Sequence, residues 1–341
     1  MRGPFSIMPR ITLLNLLNPA PMRIVPYIAS VIFAAATCAL AQGYPEKPLR
    51  LVVPYPPGGN IDITARSISP GLSELLRQSV VIDNRSGAGG TIGADHVAKA
   101  PADGYTILVG SSGTLTVAPS LYTKNPYHPV RDFAPVSFVS TVPLVLVVHP
   151  TVPAKTVKEL IAIAKPKPNR LSMASAGTGT TNHLTGEMFQ AMTGVKFVHV
   201  PYKGSGPALV DLMGGQVDLH FDQLSSSAPY IQAKRLRALA VTTEKRAPIY
   251  PDIPTLAEAG VPGFEASTFT GLVLPAKTPR DVIAKLHAAT VKVLARSAVK
   301  ERFASFGADA FSSTPDQLGA FIQKDFAKWT KVVKDANVRV D

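Results

Sequence analysis

Short runs of β-branched and other apolar residues recur along the chain, each followed by a polar, glycine-containing turn and then by apolar residues at helical spacing. The first such unit spans Leu49 to Arg66. Leu49, Leu51, Val52 and Val53 predict a buried strand, and Pro54, Pro56 and Pro57 stop its ladder by removing backbone donors. Gly58 and Gly59 follow, where the missing Cβ lets a ligand approach the main chain. Asn60 or Asp62 is placed to cap a helix that runs on through Ile63, Ile68 and Leu72, leaving its first amides facing the loop. Such a helix start attracts anions; the same residues would equally make an ordinary strand-to-helix crossover, and both readings stand on this stretch alone. The unit then repeats as strand Val80–Asn84, glycine loop Ser86–Gly90, helix Thr91–Ala100, and strand Tyr105–Val109 opening into the polar loop Gly110–Thr114. This alternation predicts an α/β fold with a mostly parallel sheet, helices on both faces, and ligands beyond the carboxyl ends of the strands.

Val136–Val148 reads as a longer strand broken at Pro143, which cannot donate to an interior ladder, and marks the chain leaving one lobe for another. A second series comes next: helix Val157–Ala164, strand Leu171–Ala174, loop Ser175–Thr180, helix Thr181–Met192, strand Val195–Val200 and loop Pro201–Gly206. Helix Pro207–Met213 stops at Gly214 and Gly215, strand Val217–Phe221 leads into Asp222, and a helix over Ser226–Ala233 precedes strand Leu236–Val241. Phe264–Leu274 reads as a second long strand that returns the chain to the first lobe, and helices Arg280–Ala295 and Asp316–Ala336 come after it. Two crossings predict a hinged clamp, with 42–142 and 263–341 as a discontinuous first lobe and 143–262 as an inserted second. A chain of 341 residues has the length for two such cores.

The N-terminus reads differently. Arg23, an apolar run from Ile24 to Ala41, and the small-residue site Ala39-Leu40-Ala41 predict a secretory signal over 1–41, cleaved near Ala41, with Met22 a candidate true start. Pro26 interrupts the run, which falls short of the roughly 20 apolar residues that spanning a bilayer takes. Cys38, the single cysteine, lies inside that segment, so the mature chain is expected to carry neither disulfide nor thiol chemistry. The net charge of +12 falls to +9 without Arg2, Arg10 and Arg23. Lys and Arg are scattered and no aromatic-interleaved basic run appears, which argues against nucleic acid and for solubility with mild attraction of anions.

Enzyme and cofactor motifs are absent from the sequence. Gly87-Ala88-Gly89-Gly90-Thr91-Ile92 fails the dinucleotide fingerprint at Ile92, and neither GxxxxGK[ST] nor GxSxG occurs. His183 and Glu187 sit one helical turn apart without an HExxH or Cys/His cluster, so no metal site and no cofactor are expected. His199, His220 and Asp222 fall at strand ends and read as a satisfied hydrogen-bond cluster. What recurs is a backbone cradle: Pro57-Gly58-Gly59-Asn60 in one lobe and Ser175-Ala176-Gly177-Thr178-Gly179-Thr180 in the other, with Ser111 to Thr114 able to join them or to be a plain turn. Hydrogen bonds to a charged group contribute roughly 1.5–3 kcal/mol each, so a few of them suffice for the about 8 kcal/mol of micromolar carboxylate binding without a buried arginine. Tyr202 offers a phenol to the same cleft or packs between lobes. An exported hydrolase using Ser175 with His183 is a further reading, and it predicts turnover.

The ordered set Pro54-Tyr55-Pro56-Pro57-Gly58-Gly59 with Asp62 and Ala65-Arg66, Asp83-Asn84-Arg85 with Gly87-Ala88-Gly89-Gly90, and Ala100-Pro101-Ala102-Asp103-Gly104-Tyr105 opens a family pattern. Ser175-Ala176-Gly177-Thr178-Gly179 with His183-Leu184 and Gly186-Glu187, Val200-Pro201-Tyr202-Lys203-Gly204, and Asp252-Ile253-Pro254-Thr255 complete it. Together they resemble the substrate-binding proteins of tripartite tricarboxylate transporters, the Bug or TctC-like family, over essentially the whole mature chain. The resemblance implies a monomeric periplasmic receptor of the two-lobed type II binding-protein fold, which encloses a small organic acid and delivers it to membrane permease subunits. It also implies a carboxylate held by main-chain groups and waters. Carried over by position, Pro57, Gly58, Gly59 and Asp62 form the first loop, Ser175, Gly177, Thr178, Gly179 and His183 the second, and Tyr202 and Asp222 face the cleft. The chain departs from the pattern at Asn60-Ile61, where the second position is commonly a small hydroxyl residue, and at Ser86, commonly proline. A sensory protein presenting the acid to a membrane histidine kinase is the alternative from another class.

Overall fold

The structure is a computed structural model that describes residue 3 and residues 43–122 and 124–335, so the expected signal segment, with Met22 and Cys38, lies outside the described residues. The first elements are β1 (Leu49–Val53), α1 (Asn60–Leu76), β2 (Val80–Asn84), α2 (Thr91–Ala98), β3 (Thr106–Ser111), α3 (Ala118–Leu121) and β4 (Phe133–Val148). Next come α4 (Val157–Ala164), β5 (Ser172–Ser175), α5 (Thr181–Thr193), β6 (Val198–Pro201), α6 (Ser205–Met213), β7 (Leu219–Gln223), α7 (Leu224–Gln232) and β8 (Arg237–Val241). After β9 (Ser267–Pro275), α8 (Arg280–Ala295), α9 (Ser297–Ala304), β10 (Asp309–Ala310) and α10 (Pro315–Asp335) complete the described chain.

The strands lie in the order β2-β1-β3-β9-β4-β7-β5-β6, with β8 and β10 also paired to β4. The pairs β1–β2, β1–β3, β5–β6 and β5–β7 are parallel, as the strand-glycine-helix repeat dictates. Every pair that involves β4 or β9 is antiparallel, which makes the sheet mixed. β4 is continuous, so the expected break at Pro143 is corrected: Pro143 opposes Ser267 at the last β9 pair, and Leu144 opposes Gln223 at the first β7 pair. The missing N–H falls where the strand changes partner, a place a proline tolerates.

β4 also feeds two separate cores. Phe133 and Phe138 pack with Val52, Leu108, Leu115, Phe269, Val273 and Leu318, while Leu144, Leu146 and Val148 pack with Phe189, Phe197, Phe221 and Phe264. Two further expectations change. The polar loop expected over Gly110–Thr114 gives way at Gly113 to a buried π-helical turn, Gly113–Val117, that continues into α3, and α9 was not foreseen because its only buried residue is Phe303. Among the described residues no helix is long and apolar enough to cross a membrane.

Candidate ligand site

Helix α1 begins without a side-chain cap. Its N-cap is Gly59, and its first intrahelical bond runs from Ile63 N–H to Gly59 O at 3.0 Å, so the amides of Asn60, Ile61 and Asp62 precede the helical ladder. The expected capping by Asn60 or Asp62 is corrected. The Asp62 carboxylate reaches back over the loop and accepts from Gly58 N–H at 3.0 Å, Arg66 Nε at 2.9 Å and Asn84 Nδ2 at 3.1 Å. Burial alone would raise its pKa, but those donors hold it below the usual carboxylate value. Asp62 therefore stiffens the loop and occupies the Gly58 amide, while Pro57 and Gly58 themselves stay exposed at the rim.

The second loop arranges its donors differently. Gly177 N–H donates to Ser175 Oγ at 3.1 Å, Gly179 N–H to His183 Nδ1 at 3.3 Å, and Thr180 N–H to Gly177 O at 3.2 Å. Thr180 caps α5, its Oγ1 accepting from His183 N–H at 3.4 Å. The expected cradle of loop amides at Gly177, Gly179 and Thr180 is thus corrected: they are satisfied inside the loop, and the amides preceding the α5 ladder belong to Thr181 and Asn182. The glycine at 177 serves contact between the lobes. With φ of +129°, a Cβ there would stand 3.0 Å from Tyr202 O and 3.6 Å from Gly89 Cα. Thr178 O accepts from Tyr122 OH at 3.2 Å, which ties the same loop to the first lobe.

Between the two helix starts lies one cavity with about 350 Å³ of empty space, part of it open to solvent. Gly59, Asn60 and Ile61 line it from the start of α1, and Thr180, Thr181 and Asn182 from the start of α5. Tyr55, Ser111, Ala176, Ser205, Gln223 and Thr268 complete the wall, which contains no lysine or arginine. Both helix dipoles place partial positive charge at the cavity, so an anion gains from two independent backbone sources. Burial pushes the Tyr55 phenol up to about 12, keeping it a neutral donor, and it donates to Gly89 O at 3.1 Å.

Of the residues singled out by sequence, Gly59, Asn60, Ser111 and Thr180 meet in this cavity. The others stand elsewhere. Ser175, Gly177, Thr178, Gly179 and His183 belong to the body of the second loop and its support, outside the cavity wall. Ser175 Oγ lies 2.7 Å from His199 Nε2, and the His199 ring stacks on His183 with centroids 4.1 Å apart. The proposed Ser175–His183 hydrolytic pair is therefore replaced by a Ser175–His199 pair. Burial lowers both imidazoles to about 4, and for His199 the adjacent His183 adds to the shift. Tyr202 donates its phenol to Asp211 Oδ2 at 2.7 Å; burial and that bond raise it to about 12, so it does not serve the cleft as expected.

Asp222 is fully buried behind the wall, accepting from Ser226 Oγ at 2.6 Å and Ser227 Oγ at 2.8 Å, with His220 Nε2 3.4 Å from its other oxygen. Burial works against its charge, but the His220 ring and the serine hydroxyls hold its pKa below the usual value. The expected satisfied cluster of His199, His220 and Asp222 splits, since neither ring nitrogen of His220 finds a well-directed hydrogen bond. Among the described residues no group of three or more His, Cys, Asp or Glu is arranged to hold a metal ion. Ala176 reaches the wall from the expected second cradle and Ile61 from the position that departs from the family pattern, whereas sequence reasoning missed Tyr55, Thr181, Asn182, Ser205, Gln223 and Thr268 as wall residues. Thr181 and Asn182 carried a usable signal as the first helical residues after a loop, whereas Gln223 and Thr268 reach the site only through the β7 and β9 crossings.

The family model for the tripartite tricarboxylate transporter family receptor matches residues 64–338. Protein BugT of Bordetella pertussis is 40% identical over 315 residues, 92% of this chain and 96% of the relative. The solved periplasmic binding protein BugD superposes with a TM-score of 0.84 at 38% identity, covering 87% of this chain and 99% of BugD. A protein of R. palustris solved with adipate gives a TM-score of 0.84 at 39% identity, over 87% of this chain and 99% of that one.

Proposed function

This chain belongs to the tripartite tricarboxylate transporter receptor family and has the two-lobed type II α/β fold of periplasmic binding proteins, and from that premise we propose that it captures a small carboxylate between its lobes in the periplasm and delivers it to membrane permease subunits. One observation carries the reading. Two helix starts on opposite lobes line a single cavity without a cationic side chain, a setting in which backbone amides hold an acid. Adipate in the R. palustris relative supports a carboxylate as the ligand class. The lobes are proposed as 42–142 with 263–341 and as 143–262, hinged where β4 and β9 run between the two cores.

In the closed form, exclusion of water strengthens each amide-carboxylate bond, and the glycine contacts at Gly89 and Gly177 let the lobes meet without intervening side chains. Titration calorimetry against adipate, succinate, malate and a neutral sugar tests the proposal. Saturable binding of an acid, with the acid recovered unchanged, supports it; binding of the sugar alone, or consumption of the acid, contradicts it.

A further inference from the structure

Three carboxamides line the cavity, and two of them satisfy each other. Asn182 Nδ2 donates to Gln223 Oε1 at 3.2 Å, and Gln223 Nε2 donates to Asn182 Oδ1 at 3.3 Å and to Thr268 Oγ1 at 3.2 Å. Asn60 is different. Its Oδ1 accepts from the Ser225 hydroxyl of the other lobe at 2.7 Å, a bond that orients the carboxamide. Its Nδ2 has no hydrogen-bond partner, although the residue is only 3% exposed and stands in the cavity wall. A buried NH2 left unpaired bears its full desolvation cost, so the position makes physical sense when something else in the cavity accepts from it. No protein acceptor does so.

We infer that Asn60 selects among acids: its Nδ2 donates to an acceptor oxygen of the ligand additional to the carboxylate seated at the helix starts. This rests on the carboxylate reading of the cavity. The class of ligand is set by the donor chemistry. A second carboxylate or an oxo group fits opposite an NH2, whereas an ammonium group at the same place sets donor against donor. Ile61 beside it supplies an apolar wall for the carbon skeleton in between.

Calorimetry with chain-matched pairs, succinate against butyrate and adipate against hexanoate, tests this on the wild type, Asn60→Ala and Ser225→Ala. The wild type binds the better dicarboxylate about tenfold or more tightly than its matched monocarboxylate. Asn60→Ala loses about tenfold for the dicarboxylate and little for its partner, so the ratio collapses. Ser225→Ala removes the cross-lobe bond and keeps the NH2 on a less firmly oriented carboxamide, so both acids weaken and the ratio narrows less than in Asn60→Ala. A ratio unchanged in Asn60→Ala overturns the inference while leaving the carboxylate receptor standing. If the wild type binds none of these acids and not malate either, the carboxylate reading itself fails and the inference falls with it.

Discussion

The loops at 55–60 and 175–180 look alike as sequences, each a small-residue turn that feeds a helix, yet they use their backbones in opposite ways. In the first, the helix starts on an uncapped Gly59 and a carboxylate three residues on secures the turn from outside the cavity. In the second, the turn is closed on itself by Ser175, Thr180 and His183, and its glycine at 177 presses against the other lobe. The two share a helix start beyond the turn: amides at Asn60 and Ile61, and at Thr181 and Asn182, precede their own ladders and border one cavity. A glycine-rich turn therefore signals that a backbone must bend or be approached. It does not say by what.

If the second turn is a lobe contact, filling it is the most damaging change. Gly177→Val combines a β-branched residue at positive φ with a Cβ 3.6 Å from Gly89 Cα across the cleft and 3.0 Å from Tyr202 O in its own lobe, and adipate affinity should fall about a hundredfold in calorimetry while the circular dichroism spectrum is retained. If the first turn is held by its acid, Asp62→Ala should lower stability by about 2 kcal/mol in urea melts, because Gly58 N–H and Asn84 lose a charged acceptor.

Acid should act mainly on the second turn. His183 and His199 stay neutral in the folded chain down to about 4, while the same rings protonate near 6.5 when unfolded. Between those values the unfolded chain binds more protons, so stability falls as pH drops from about 6.5 toward 4, and His199→Gln should flatten that slope in urea melts at stepped pH. The smallest effect belongs to Gly59→Ala. Its φ is −85° and a Cβ there meets nothing nearer than Ser205 Cβ at 3.9 Å, so stability should change by less than about 1 kcal/mol in the same melts.

Much of this architecture was legible because local patterns decided it. The runs at Leu49–Val53 and Val80–Asn84 became strands at the expected residues, and α8 begins and ends at Arg280 and Ala295 as its periodicity predicts. Elements whose reason is tertiary were not legible. Pro143 looked like a break because its tolerance depends on the partner change between β9 and β7, and Gly113 and Thr114 looked like part of a loop because the burial of polar Thr114 by surrounding elements is not visible in the sequence. The same division runs through the site. Gly59, Asn60 and Thr180 stood beside visible turns, while Gln223 and Thr268 arrive from strands more than forty residues apart in the chain. Asp222 and Tyr202 were placed at the cleft by analogy of position; their side chains point into the serine hydroxyls and onto Asp211 instead.

Amide chemical shifts followed by nitrogen-15 NMR during titration with adipate test the central claim most directly. Carboxylate held by the two helix starts predicts the largest proton shifts at Asn60, Ile61, Thr181 and Asn182, with Gly58, Gly177 and Gly179, whose N–H groups already donate within the protein, moving less. Saturable binding in which the loop glycines move most, or in which only one lobe responds, would contradict it.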